Sequence, residues 1–193
     1  MDRDYPRHCY TMRDTLLRIG IPIDLVNSSL NASSEGLALE KWLINQGYQS
    51  LLRGENWYFQ TSKAESFKTL PLLVKTLKLT SQINAFFART HYLARLLMER
   101  NHKEFNVVAA SRVLVLADFY EVSRSRRDCP MTPTQRGYIE SMLLERSDKG
   151  RATIFHIYNP SELKVDHLDW WRSSVFDQLT PKSLKIAPIL VDA

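Results

Sequence analysis

A mixed α/β fold is predicted from three features of the sequence. Between residues 10 and 62, apolar side chains recur first at helical spacing and then in two short β-prone runs. From Thr69 to Asn101 the spacing stays helical, and beyond Asn101 the hydrophobic period switches between 2 and 3.6. The order helices, hairpin, long helix, then β-α-β-α-β divides the chain into three parts. These are an N-terminal module (1–66), a helical connector that also dimerises (67–103) and a small three-layer α/β domain with a mainly parallel sheet (104–193).

Residues 1 to 9 read as an arm. Met12, Leu16, Leu17 and Ile19 fall at helical spacing, and Gly20 stops that run. Pro22 suits the start of a second helix with Ile23, Leu25, Val26 and Leu30 as its stripe. Asn31-Ala32-Ser33-Ser34 supplies a turn and a capping hydroxyl for a third helix carrying Leu37, Leu39, Trp42, Leu43 and Ile44, which Gly47 closes. Runs 48–52 and 57–61 flank Arg53-Gly54-Glu55-Asn56, a glycine-bearing connection of hairpin length. In this order of elements, residues 10–62 resemble the winged helix-turn-helix superfamily. The resemblance implies a recognition helix bearing Ser33, Ser34, Gly36 and Lys41, and a wing tip at Arg53 and Asn56. The helix departs from the family in charge, with Glu35 and Glu40 beside Lys41.

Thr69 can cap the connector helix, and Pro71 fits a first turn, where its missing N–H would be unpaired anyway. The run to Asn101, with a break placed near Ser81, has Leu73, Leu77, Phe86, Leu93 and Leu97 as core positions. Lys75, Lys78, Gln82 and Arg89 share one face, which is either a solvated strip or a track for phosphates. In the last part, runs 107–109, 113–119, 152–158 and 184–191 read as strands, and 133–146 and 161–179 as helices, the latter rich in Trp170, Trp171 and Phe176. A Rossmann-like layering accommodates that alternation.

With 44% hydrophobic and 24% charged residues, the composition is that of a folding globular chain. No apolar window reaches the length of a membrane span, and the N-terminus carries charges where a signal peptide needs an apolar core, so a cytoplasmic location and no membrane partner are expected. Cys9 and Cys129 offer no disulfide framework. The net charge of +5 is unevenly spread: residues 1–66 hold 7 basic and 8 acidic side chains, 67–128 hold 11 and 5, and 129–193 hold 8 and 8. A polyanion partner should therefore touch the middle of the chain.

Ligands of parallel α/β sheets bind beyond the carboxyl ends of the strands, which makes Asp118 the best-placed acid, with a plain loop carboxylate as the alternative. Neither GxGxxG nor GxxxxGK[ST] occurs, so no cofactor is expected, and no histidine or cysteine spacing suggests a metal. Arg124, Arg126 and Arg127 form the densest basic cluster, either a solvated loop or a grip on a nucleic-acid backbone. Asp148, Glu162 and Lys164 spell the D-x13-E-x-K skeleton of many nucleases.

The leading expectation is a DNA-binding regulator, homodimeric, with double-stranded DNA or another nucleic acid as its partner and the α/β domain sensing a ligand or a protein. The first alternative is a winged-helix subunit that binds protein in a nucleic-acid or defence assembly. The second is a metal-dependent nuclease built on Asp148, Glu162 and Lys164 or on Asp118.

Overall fold

A computed structural model describes residues 5–60, 63–117, 132–157, 177–179 and 182–185. Among them five strands form one parallel sheet: β1 (Trp57–Gln60), β2 (Ala85–Arg89), β3 (Val113–Ala117), β4 (Ala152–Ile157) and β5 (Lys182–Lys185). Their order is β2-β3-β4-β1-β5, and every pairing is parallel. Trp57 stands between Ile154 and Lys182, and Val113 between Ala85 and Ala152.

The period-2 pattern of these strands sends alternate side chains into two cores. Trp57, Phe59, Ala85, Phe87, Val113, Val115 and Ile154 point to one face, where helix α4 (Lys63–Ser81) lays down Leu70, Leu73, Val74 and Leu77 at i, i+3, i+4, i+7 spacing. Phe86, Leu114, Leu116 and Phe155 point to the other. There α5 (Thr90–Met98), α6 (His102–Ala110) and α7 (Pro133–Asp148) contribute Leu93, Leu96, Phe105, Val108, Ile139, Met142 and Leu143. Each such leucine contributes ~1.5–3 kcal/mol by leaving water. A capping box between Thr132 and Gln135 starts α7, with Pro133 at its first position.

The N-terminal region adds α1 (Tyr5–Arg18), 3₁₀ turns at Ile23–Leu25 and Leu30–Ala32, and then α2 (Ser34–Trp42). A π-helical turn (Leu43–Gly47) leads on into α3 (Tyr48–Leu52). Leu16, Ile21, Leu25, Leu30, Leu39, Trp42 and Leu51 all join the α4 core. Trp42 anchors that layer, meeting Trp57 and Phe59 edge to face at centroid distances of 5.1 and 4.9 Å.

The winged helix is therefore absent. Gly47 does not stop a helix: its φ is −62°, and a Cβ there would stand 2.7 Å from the Trp42 ring, so the glycine admits an aromatic side chain against a continuing helix. Tyr48–Leu52 is that continuation and not a strand. Gly54, at φ +82°, ends α3 in the left-handed conformation and does not turn a hairpin. Trp57–Gln60, the expected second wing strand, lies inside the parallel sheet between β4 and β5.

The connector also differs from its expectation. α4 begins at Lys63, so Thr69 and Pro71 are interior to it, and the chain leaves the helix after Ser81 through Gln82 at φ +53°. Ala85–Arg89 is an edge strand because Ala-Phe-Phe-Ala fits a two-faced strand as well as a helix. Val107–Ala109, expected as β, is the end of α6. The divisions drawn at 66/67 and 103/104 fall inside α4 and α6. Most of the expected 161–179 helix, with Trp170 and Trp171, lies outside the described residues. Among the described residues no helix is long and apolar enough to cross a membrane.

Candidate functional site

In an open parallel sheet the crevice lies beyond the carboxyl ends of neighbouring strands whose connections leave to opposite faces. α4 follows β1 onto one face, while α7, between β3 and β4, covers the other. The carboxyl ends of β1 and β4, with β3 beside them, are thus the position this topology reserves for a ligand.

From the end of β1 into α4 the chain runs Ser62-Lys63-Ala64-Glu65-Ser66-Phe67-Lys68-Thr69, all but the first of these within α4. That is where a phosphate loop, GxxxxGK[ST], sits in a strand–loop–helix unit. Lys68 and Thr69 occupy its last two positions, and both glycine positions are changed, to Ser62 and Phe67. A pattern that requires the glycines passes over this pair; the signal that finds it is a Lys-Thr dipeptide shortly after a buried strand. Asp118, the next residue in sequence after β3, lies outside the described residues.

The local geometry is specific. Phe67 is half-buried, and the Arg89 guanidinium carbon sits 4.2 Å from its ring centroid. Lys68 is exposed, whereas Thr69 is 2% exposed. Because α4 starts at Lys63, the N–H groups of Phe67, Lys68 and Thr69 lie past the four free donors of the first turn and point along the helix axis. At the sheet edge, Thr90 Oγ1 donates to the carbonyl of Ala117 at 3.1 Å, tying the end of β2 to the end of β3.

A second concavity of about 400 Å³ opens beside β2, lined by Arg18, Phe87, Arg89, His91, Tyr92 and Glu104 among others. The Tyr92 hydroxyl donates to Glu104, and burial followed by that carboxylate pushes it up to about 12.

The residues expected to face DNA are dispersed. Ser33 caps α2, its Oγ accepting from Gly36 N at 3.0 Å; Ser34 begins the helix; Gly36 is buried; Lys41 is exposed. Arg53 pairs with Glu55 at 3.0 Å. Asn56 is 6% exposed and is a staple, not a wing tip. Its Oδ1 accepts from Thr153 N at 2.9 Å while its Nδ2 donates to the Leu179 carbonyl at 3.2 Å. Lys75, Lys78 and Arg89 do not share a helix face, since Arg89 is on β2. Lys75 Nζ donates to the carbonyls of Val26 and Ser28 at 2.6 and 2.7 Å, and burial holds its pKa below the usual lysine value. Lys75→Met is expected to lower stability by ~1–2 kcal/mol, because two carbonyls lose a charged donor, and to leave the salt dependence of nucleic-acid binding unchanged. Urea melts and titrations at two salt concentrations check both parts. Arg124, Arg126 and Arg127 lie outside the described residues.

Of the residues of the nuclease reading, the exposed Asp148 ends α7 and precedes the amino end of β4, and Asp118 lies outside the described residues. Glu162 and Lys164 lie outside the described residues. Among the described residues no group of three or more His, Cys, Asp or Glu could hold a metal. Of the apolar residues of the expected dimerising connector, Leu73, Leu77 and Leu93 are fully buried in the chain's own cores.

No family model matches the chain, and no curated protein matches it in sequence. Solved structures do match its fold, a parallel α/β sheet with helices on both faces, and that fold replaces the winged helix-turn-helix assignment. The DnaC helicase loader is 21% identical with a TM-score of 0.59, the match covering 83% of this chain and 97% of that one. A candidate primosome component from Streptococcus pyogenes serotype M3 is 11% identical with a TM-score of 0.65, covering 97% and 98%. DnaA from Aquifex aeolicus, bound to AMPPCP, is 12% identical with a TM-score of 0.55; the match covers 86% of this chain and spans about half, 51%, of the DnaA chain. With these neighbours, the transcription-regulator, winged-helix-subunit and nuclease readings are set aside.

Proposed function

We propose that the chain is a replication-initiation adaptor of the helicase-loader kind, which binds a replicative helicase and nucleic acid. The observation that supports it is coverage in both directions: the chain superposes nearly end to end on the candidate primosome component and over almost the whole of the DnaC helicase loader. Such coverage compares whole domains, where a shared module within a larger protein would leave one side unmatched. The net positive middle of the chain supplies the nucleic-acid side. Arg124, Arg126 and Arg127 are the proposed phosphate contacts, with Lys78 and Arg89 in the same net-positive segment 67–128.

The test is direct. Purified chain mixed with the hexameric replicative helicase from the same source is expected to co-elute as a defined complex in size-exclusion chromatography with light scattering at micromolar concentration. Two separate peaks would sink the reading. Replacing Arg124, Arg126 and Arg127 together by alanine is expected to weaken single-stranded DNA binding on all sequences alike and to lower its salt slope by up to roughly 3 units. An unchanged slope would remove those arginines from the contact.

A further inference from the structure

We infer that this chain acts without a bound nucleotide, and that its phosphate position has been given over to a side-chain contact of its own, Phe67 against Arg89. The inference rests on the fold and on residues 67–69 and 89, not on the helicase-loader reading. A phosphate loop works because glycines let backbone N–H groups close around the β-phosphate, with the lysine and the hydroxyl completing the site. Here three of those provisions are missing. The second glycine position carries Phe67, whose benzyl group occupies space that such a loop leaves clear for close backbone approach. The N–H groups of Phe67, Lys68 and Thr69 belong to α4, which begins six residues before Thr69. Thr69 is buried, at 2% exposure, and so is withdrawn from the solvent that would bring a metal-bound nucleotide. Only Lys68 is exposed as a nucleotide-binding lysine would be.

The arginine gives the replacement a purpose. Arg89 ends β2, an edge strand, and Phe67 sits near the start of the helix that follows the inner strand β1. At 4.2 Å, the stack joins the beginning of α4 to the carboxyl edge of the sheet. A bound nucleotide makes that kind of tie in proteins that hold one there. Pro71 has no N–H for the Phe67 carbonyl, so the opening turns of α4 lack a ladder bond at this point and depend more on the stack.

The test uses the intact chain. Fluorescent ATP and ADP analogues, titrated with Mg²⁺ to millimolar concentration, are expected to show no saturable signal, and 1 mM MgATP is expected to leave the melting temperature unchanged. A ligand at a hundred times its dissociation constant would raise that temperature by roughly 5–10 °C. Phe67→Ala should lower the melting temperature equally with and without MgATP. Saturable binding that Lys68→Ala abolishes would overturn the inference. Helicase complex formation is read separately: a complex without nucleotide binding supports both proposals, nucleotide binding with a complex overturns only this one, and neither signal overturns only the adaptor reading.

Discussion

Arg146→Ala is expected to destabilise the chain by about 3–5 kcal/mol, which for a domain of this size lowers the melting temperature by roughly 10 °C. Arg146 lies on α7 at 1% exposure, and oxygens meet its guanidinium on all sides. One terminal nitrogen donates to the carbonyls of Ala109 and Ser111, both at 2.8 Å; the other donates to the Ala152 carbonyl at 2.6 Å, and Nε to Thr153 Oγ1 at 3.1 Å. Those acceptors belong to the end of α6, the approach to β3 and the start of β4, so one side chain fastens three connections at the amino edge of the sheet. Burial pushes the guanidinium down to about 9, and it stays charged at neutral pH, held by oxygen dipoles that include the carboxyl-terminal end of a helix. Truncation leaves the Ser111 and Ala152 carbonyls without this donor at ~1–3 kcal/mol each and opens a cavity as well. Arg151 also donates to Ala109, at 3.2 Å, and softens that part of the loss. Arg146→Lys should be nearly as damaging, because one ammonium cannot span acceptors arranged around a planar fork. Urea unfolding decides it. Stability of Arg146→Met within ~1 kcal/mol of the native chain would mean that the network is dispensable.

How far the sequence leads can be seen at particular elements. Val113–Ala117 is apolar on both faces and Ala152–Ile157 mostly so, with Thr153 and His156 the polar residues, and both read as parallel strands and are. The helix from Pro133 is equally legible from the helical spacing of Tyr138, Ile139, Met142 and Leu143. Trp57–Gln60 is different: four residues cannot distinguish a wing strand from the strand of a parallel sheet whose partners lie about a hundred residues later, and the pairing with Ile154 is a tertiary fact. Glycine signals misled twice for the same reason. Gly47 and Gly36 carry no unusual backbone angle; each clears room for a neighbour that sequence proximity does not reveal. Lys68-Thr69 was hidden because its motif is defined by the residues this chain lacks. Asn56 and Lys75 read as surface contacts because polar side chains usually are exposed, yet both find carbonyls of distant segments.

Gly36 therefore offers a substitution for which two principles predict opposite signs. As a residue of the first turn of α2, exchanged for alanine, it should gain up to ~1 kcal/mol of helix propensity. A Cβ built there, however, stands 1.7 Å from the Leu30 carbonyl oxygen and 2.9 Å from its carbon, and the obstacle is backbone, which cannot rotate away as a side chain would. Leu30 is itself anchored at 4% exposure within a 3₁₀ turn, so relieving the contact moves a core leucine or tilts α2 away from α4. Displacement of that size outweighs propensity, and Gly36→Ala is expected to lose about 3 kcal/mol net. Ser33→Ala, which removes only the cap on Gly36 N, should lose about 1 kcal/mol and serves as the local reference. Both are read from chemical unfolding alongside nucleic-acid titrations under identical salt. A Gly36→Ala chain of native stability with weakened nucleic-acid binding would return this glycine to the contact surface. Lost stability, with affinity unchanged among the molecules that remain folded, identifies it as the point where α2 docks on the turn before it.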